Sequence, residues 1–126
     1  MFDWMEFFEF GMNLIGECSE CDQRVGVSRA YYGLFNMAIK TLPADLAQDL
    51  RTDKSQKGYH ELVWENLFQN SDDKENDRAL MASAIIRKAR NKADYDSSSN
   101  IFKTELNGFK KSALIVFNQI KKIRSK

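Results

Sequence analysis

The chain has 126 residues, a formal net charge of +1, 43% apolar and 29% charged residues. That balance excludes a disordered or collagen-like chain and fits one domain, residues 1–126, large enough to bury a core without disulfide staples. No run approaches the ~20 consecutive apolar residues of a membrane-spanning helix, and the start, Met1-Phe2-Asp3-Trp4-Met5-Glu6, is acidic where a secretory leader is basic. A cytoplasmic protein with no membrane partner is the expectation.

Apolar residues recur at helical spacing almost throughout, and no useful length alternates as a strand would. The first helix is predicted from Asp3, its N-cap, to about Ser19, with Trp4, Phe7, Phe8, Leu14, Ile15 and Cys18 turned inward. A second runs from about Arg24 to Thr41, burying Val27, Tyr31, Leu34, Phe35, Ala38 and Leu42, and Pro43 ends it. Between Pro43 and Gly58 a short helical piece, Ala44 to Leu50, precedes a polar loop. A third helix spans about Tyr59 to Phe68 and is broken by Asn70-Ser71-Asp72-Asp73. The fourth runs from about Lys74 to Ala93, with Leu80, Met81, Ala84, Ile85, Ala89 and Ala93 available for packing. The last, about Ile101 to Ile123, carries Phe102, Leu106, Phe109, Ala113, Leu114, Val116, Phe117 and Ile120. Five helices with short joints make an all-α, antiparallel up-and-down bundle the expected fold.

Charge is unevenly spread. Residues 1–22 hold six acids and no Lys or Arg, whereas residues 100–126 hold seven bases against Glu105. A basic stripe at Lys110, Lys111, Lys121, Lys122, Arg124 and Lys126 can bind phosphates. It also complements the dipole of a terminal helix and an acidic first helix beside it, the simpler reading. Cys18 and Cys21 have Cys-x-x-Cys spacing but lack the other half of a zinc site, since no further Cys exists and the single His is at 60. No metal site and no cofactor are expected.

Two stretches set charged groups into the apolar pattern: Ser28-Arg29-Ala30-Tyr31-Tyr32-Gly33-Leu34-Phe35-Asn36 and Arg90-Asn91-Lys92-Ala93-Asp94-Tyr95-Asp96. Burying a guanidinium or carboxylate alone is costly, so such groups must meet one another or line a cleft. Arg29, Tyr32 and Asn36 share a face of the second helix, as do Arg87, Arg90, Asn91 and Asp94 on the fourth. If those faces oppose, Arg29 pairs with Asp94 as a structural ion pair, leaving Arg90, Asn91 and Tyr95 to line a groove.

The Ser-Arg-Ala-Tyr-Tyr-Gly-x-Phe run and the later Arg-x-x-Ala-Asp-Tyr-Asp resemble the HEPN superfamily (higher eukaryotes and prokaryotes nucleotide-binding domain), closest to its small single-domain prokaryotic members. The resemblance covers nearly the whole chain, including Lys57-Gly58-Tyr59-His60. It implies a homodimer, and in many relatives a metal-independent ribonuclease with an Arg and a nearby His at the dimer cleft. There the His moves a proton while the Arg stabilises charge on the phosphate. This chain keeps Arg90 and Asn91, but no His follows them, and Tyr95, a phenol with pKa about 10, is a poor proton shuttle at neutral pH. His60, from the third helix, is the remaining source of an imidazole.

Two functions follow. In one, nucleotide or RNA phosphate binds at a dimer cleft lined by Arg87, Arg90, Asn91, Tyr95 and Asn36, with Arg90 and His60 as candidate catalytic residues, in a toxin–antitoxin or phage-defence setting. In the other, the bundle is a non-catalytic dimeric module docking a partner such as a nucleotidyltransferase antitoxin, for which Tyr95 resembles a modifiable tyrosine.

Overall fold

The computed structural model describes residues 2–53, 57–69, 73–97 and 99–125, with side chains from 103 onward in the last segment. Six helices form among them: α1 (Trp4–Ile15), α2 (Glu20–Thr41), α3 (Ala44–Arg51), α4 (Tyr59–Leu67), α5 (Lys74–Tyr95) and α6 (Ser99–Arg124). The short piece after Pro43 is a full helix, so the bundle has one element more than the five expected. The breaker at 70–72, the Phe102 side chain and Lys126 lie outside the described residues.

The termini follow local chemistry. Asp3 Oδ1 accepts from the Met5 backbone N–H at 2.9 Å, and Asp73 Oδ1 from that of Glu75 at 2.8 Å. Each satisfies a donor that the first helical turn leaves unpaired. α2 begins earlier than Arg24 because Ser19 caps it, accepting from Asp22 N–H, with Glu20 and Asp22 in the positive first turn. Cys18 therefore falls in the α1–α2 connection rather than in the core, and both cysteines are exposed free thiols.

α2 is the central element, packing on α1, α4, α5 and α6. Its Val27, Tyr31, Leu34, Phe35 and Ala38, and Leu42 at its C-cap, are all buried, as the spacing predicts. The pairings run antiparallel. Along α1 and α2, Phe8 meets Gly33 and Ile15 meets Gly26; along α5 and α6, Asn76 meets Gln119 and Lys92 meets Glu105. Phe8 also stacks on Phe117 at 4.7 Å between ring centroids, joining α1 to α6.

The phase of α5 differs from the expectation. Its inward face carries Asn76, Ala79, Ala82, Ser83, Ile86, Ala89, Arg90 and Ala93, while Met81 (71% exposed) and Ile85 (43%) point out. Small side chains let α5 lie close to α2 and α6, and polar ones are tolerated where a partner exists. Gln119 Nε2 donates to Asn76 Oδ1 at 2.7 Å inside the α5–α6 seam. No helix is long and apolar enough to cross a membrane among the described residues.

Candidate functional site

The α2–α5 seam concentrates the charged groups. At its base the Arg24 guanidinium, paired with Glu20 at 2.9 Å, donates through Nη1 to the backbone carbonyls of Lys92 (3.0 Å), Ala93 (3.1 Å) and Asp96. The Lys92 carbonyl also accepts from the Asp96 backbone N–H, and the other two lie at or just past the last turn of α5, so one cation closes that C-terminus from across the seam.

One turn further along α2, Ser28 Oγ donates to Asp94 Oδ2 at 3.4 Å, and the same oxygen is 3.6 Å from Arg90 Nη1. The expected Arg29–Asp94 pair is thus replaced. Asp94 takes its partner from its own helix, and the Arg29 guanidinium sits over the Phe10 ring, 5.6 Å from the centroid. The reason is rotational. Gly26, Ala30 and Gly33 press against α1, so Arg29 on that side points toward α1, while positions 24, 28 and 31 meet α5.

Arg90 is the centre of the site. It is 8% exposed, and its guanidinium carbon lies 5.3 Å from the ring centroids of both Tyr31 and Tyr32. Two aromatic faces hold a cation by their quadrupoles. Its hydrogen bonding is incomplete, because Nε is buried without a partner and the carboxylate contact is long.

α4 brings His60 against the same tyrosines. Tyr31 Oη and His60 Nδ1 are 2.8 Å apart, and Trp64 Nε1 donates to Tyr31 Oη at 3.2 Å. Phe35 stacks on the imidazole at 3.9 Å between centroids, with planes within 5°. Burial, reinforced by the positive charges of Arg90 and Arg87, lowers the His60 pKa to about 4. Burial raises that of Tyr31 to about 12, against opposing contributions from the Trp64 hydrogen bond and the two arginines. At neutral pH both are uncharged, and their hydrogen bond is between neutral partners.

Arg87, half-buried one turn before Arg90, extends toward the start of α4, its Nη2 4.0 Å from where a Cβ on Gly58 would stand. It also borders a cavity of about 270 Å³ between α4 and α5, walled by Trp64, Leu80 and Ser83 and rimmed by Glu61 and Glu65. Glu65 is paired with Lys57 at 2.9 Å.

The sequence-derived site residues therefore separate. Arg87, Arg90 and His60 gather around Tyr31. Asn91 and Tyr95 do not join them; with Lys88, Lys92, Asp96 and Ser97 they line an open depression on another face of α5, where Tyr95 is 80% exposed. Positions 90 and 91 lie about 100° apart around a helix, so only one can enter the seam. Asn36 is spent locally, its Nδ2 donating to the Tyr32 carbonyl at 2.8 Å. The parts that sequence reasoning missed are Tyr31 as a polar group, read only as core, its partner Trp64, and Arg24 as the clamp. Their signal was present: a buried Tyr or Trp usually has a hydrogen-bond partner.

The arrangement offers two guanidiniums, one incompletely satisfied, beside aromatic faces and a neutral imidazole. That suits holding an anion. Proton transfer is poorly served, since the phenol occupies Nδ1 and the conjugate acid scarcely exists near pH 7. Comparison with protein-family models, curated proteins and solved structures finds no match to this chain.

Proposed function

We propose that this chain is a HEPN-like helical module that binds a nucleotide or RNA phosphate at the cluster of Arg87, Arg90 and His60, and that it binds rather than cleaves. The observation that carries this reading is Arg90: a buried guanidinium held by two rings and one long carboxylate contact, with Nε unpartnered. Such a cation keeps much of its field for an incoming anion, and a phosphate oxygen is a stronger acceptor than an aromatic face. The lowered pKa of His60 favours binding over general acid–base chemistry.

Calorimetric titration with a mononucleotide and a short single-stranded RNA, beside an RNA-integrity gel, tests the reading. Binding by the wild type that falls at least ~10-fold in Arg90→Ala and in Arg87→Gln supports it. Arg87 is half-buried, so its variant stands in if the buried arginine proves essential for folding. No binding, or binding indifferent to both substitutions, overturns it. RNA cleavage abolished by His60→Ala would make the site a ribonuclease instead.

A second reading has its own observation. The phenol of Tyr95 stands in solvent among Lys88, Asn91 and Lys92, as a residue presented to a docking partner such as a nucleotidyltransferase would. Homodimer formation belongs to this proposal as well, on the resemblance described above.

A further inference from the structure

We infer that Trp64 and Tyr31 are positioning residues that lock His60 in its Nε2–H tautomer, so that the imidazole meets a bound anion as a neutral hydrogen-bond donor. The role assigned to the anion rests on the reading proposed above; the lock itself does not.

The direction of the hydrogen bonds follows from what each group can do. An indole N–H only donates, so Tyr31 Oη accepts from Trp64 Nε1 at 3.2 Å. The phenol keeps its proton at any ordinary pH and has one to give, and the partner it faces is His60 Nδ1 at 2.8 Å. Nδ1 must then offer its lone pair, which leaves the proton of the neutral ring on Nε2. Ring geometry is compatible: the Tyr31 and His60 planes are parallel within 9° with centroids 5.7 Å apart, a separation that an edge-on approach of the phenol to Nδ1 gives. Phe35, parallel to the imidazole at 3.9 Å, resists the tilting that would break this alignment.

The charged and titratable groups facing His60 are Arg87 and Arg90 from α5, Tyr31 and Tyr32 from α2, and Tyr59 on α4 itself. The two guanidiniums oppose a third positive charge, and the phenol already occupies the nitrogen that would have to gain the proton. His60 therefore stays neutral through the range where an ordinary imidazole titrates. The consequence is regulatory: anion binding here is insensitive to pH where a site relying on imidazolium would weaken as pH rises.

His60 is the one histidine of the chain, so a long-range proton–nitrogen correlation spectrum of labelled, ligand-free protein reads its two nitrogens without ambiguity. The expected spectrum at pH 7 shows a protonated Nε2 and a bare Nδ1, with titration beginning only below about pH 5. Tyr31→Phe should mix the tautomers and raise the titration midpoint by about one unit or more. An Nδ1–H tautomer, or a wild-type midpoint near the ordinary value of about 6.5, overturns the lock whatever the variant does. Sulfate, whose charge is constant from pH 5.5 to 8, probes the site with ~2-fold or smaller change in affinity expected in the wild type and a clear weakening toward pH 8 in Tyr31→Phe. Strong pH dependence in the wild type overturns the donor role. Absence of sulfate binding overturns the anion reading, a failure distinct from that of the lock because the tautomer is measured without ligand.

Discussion

Gly26 and Gly11 face each other backbone to backbone: a Cβ on Gly26 would stand 2.6 Å from the Gly11 carbonyl oxygen, and one on Gly11 would stand 2.7 Å from that of Gly26. With Ala30 and Gly33 beside them, they let α1 lie closer to α2 than side chains allow. Little there can yield, because the nearest neighbours are main-chain atoms joined only by the Leu14 Cβ, which the backbone fixes. Gly26→Ala should cost about 2–3 kcal/mol as a lowered denaturant midpoint. Gly108→Ala, at an exposed position of α6 with nothing within 4 Å, should instead stabilise by about 0.5–1 kcal/mol, since only the helix propensity changes. Equal effects of the two would refute the close approach.

The Arg24 clamp predicts that Arg24→Ala costs about 1–3 kcal/mol and frays the end of α5 first. Hydrogen exchange should report lost protection in the last turn before Asp96, with α6 little changed. Arg24→Lys should recover less than half of the loss, because a single ammonium cannot keep the Glu20 pair while reaching the three carbonyls together.

Between α5 and α6, Gln119 Nε2 donates to Asn76 Oδ1 where both residues are buried. Gln119→Leu leaves the buried Asn76 Oδ1 without this donor and should cost about 1–3 kcal/mol. Asn76→Leu with Gln119→Leu should regain much of that, giving a favourable coupling of about 1 kcal/mol or more in a double-mutant cycle. Strict additivity would show that the pair is incidental.

His60 makes stability depend on acidity. Its folded pKa, about 4, lies below the unfolded value near 6.5, so below the latter the unfolded chain binds the proton first. Stability from the neutral ring is complete above about pH 6.5 and is lost as pH falls toward 4, by roughly 1–2 kcal/mol after allowing for the solvent that reaches this half-buried group. In His60→Gln the decline between pH 6.5 and 4.5 should be shallower by that amount, measured as chemical-denaturation midpoints.

The helices were legible because each carries its own record. Phe8 and Ile15, or Val27, Tyr31, Leu34 and Ala38, recur with the helical period, and Asp3 and Pro43 mark boundaries through their own chemistry. The phase of α5 was not legible. Met81 and Ile85 are as apolar as any core residue, yet the seam accepts Ala79, Ala82 and Arg90 because closeness of backbones and available partners outweigh side-chain hydrophobicity there. His60 could be singled out as a lone imidazole, but nothing local says that it meets Tyr31, twenty-nine positions away.

By itself, then, the order of residues determined an all-helical bundle and the presence of charges that must be answered within the fold. Rotation of α2 decided the rest. Turning its glycine edge toward α1 carried Arg29 away from Asp94 and delivered Arg24, Ser28 and Tyr31 to α5, so that Arg90 came to rest between two rings with an imidazole beside it. Periodicity specifies which residues share a face; which face meets which neighbour is settled only when all the helices pack at once, since each contact excludes another.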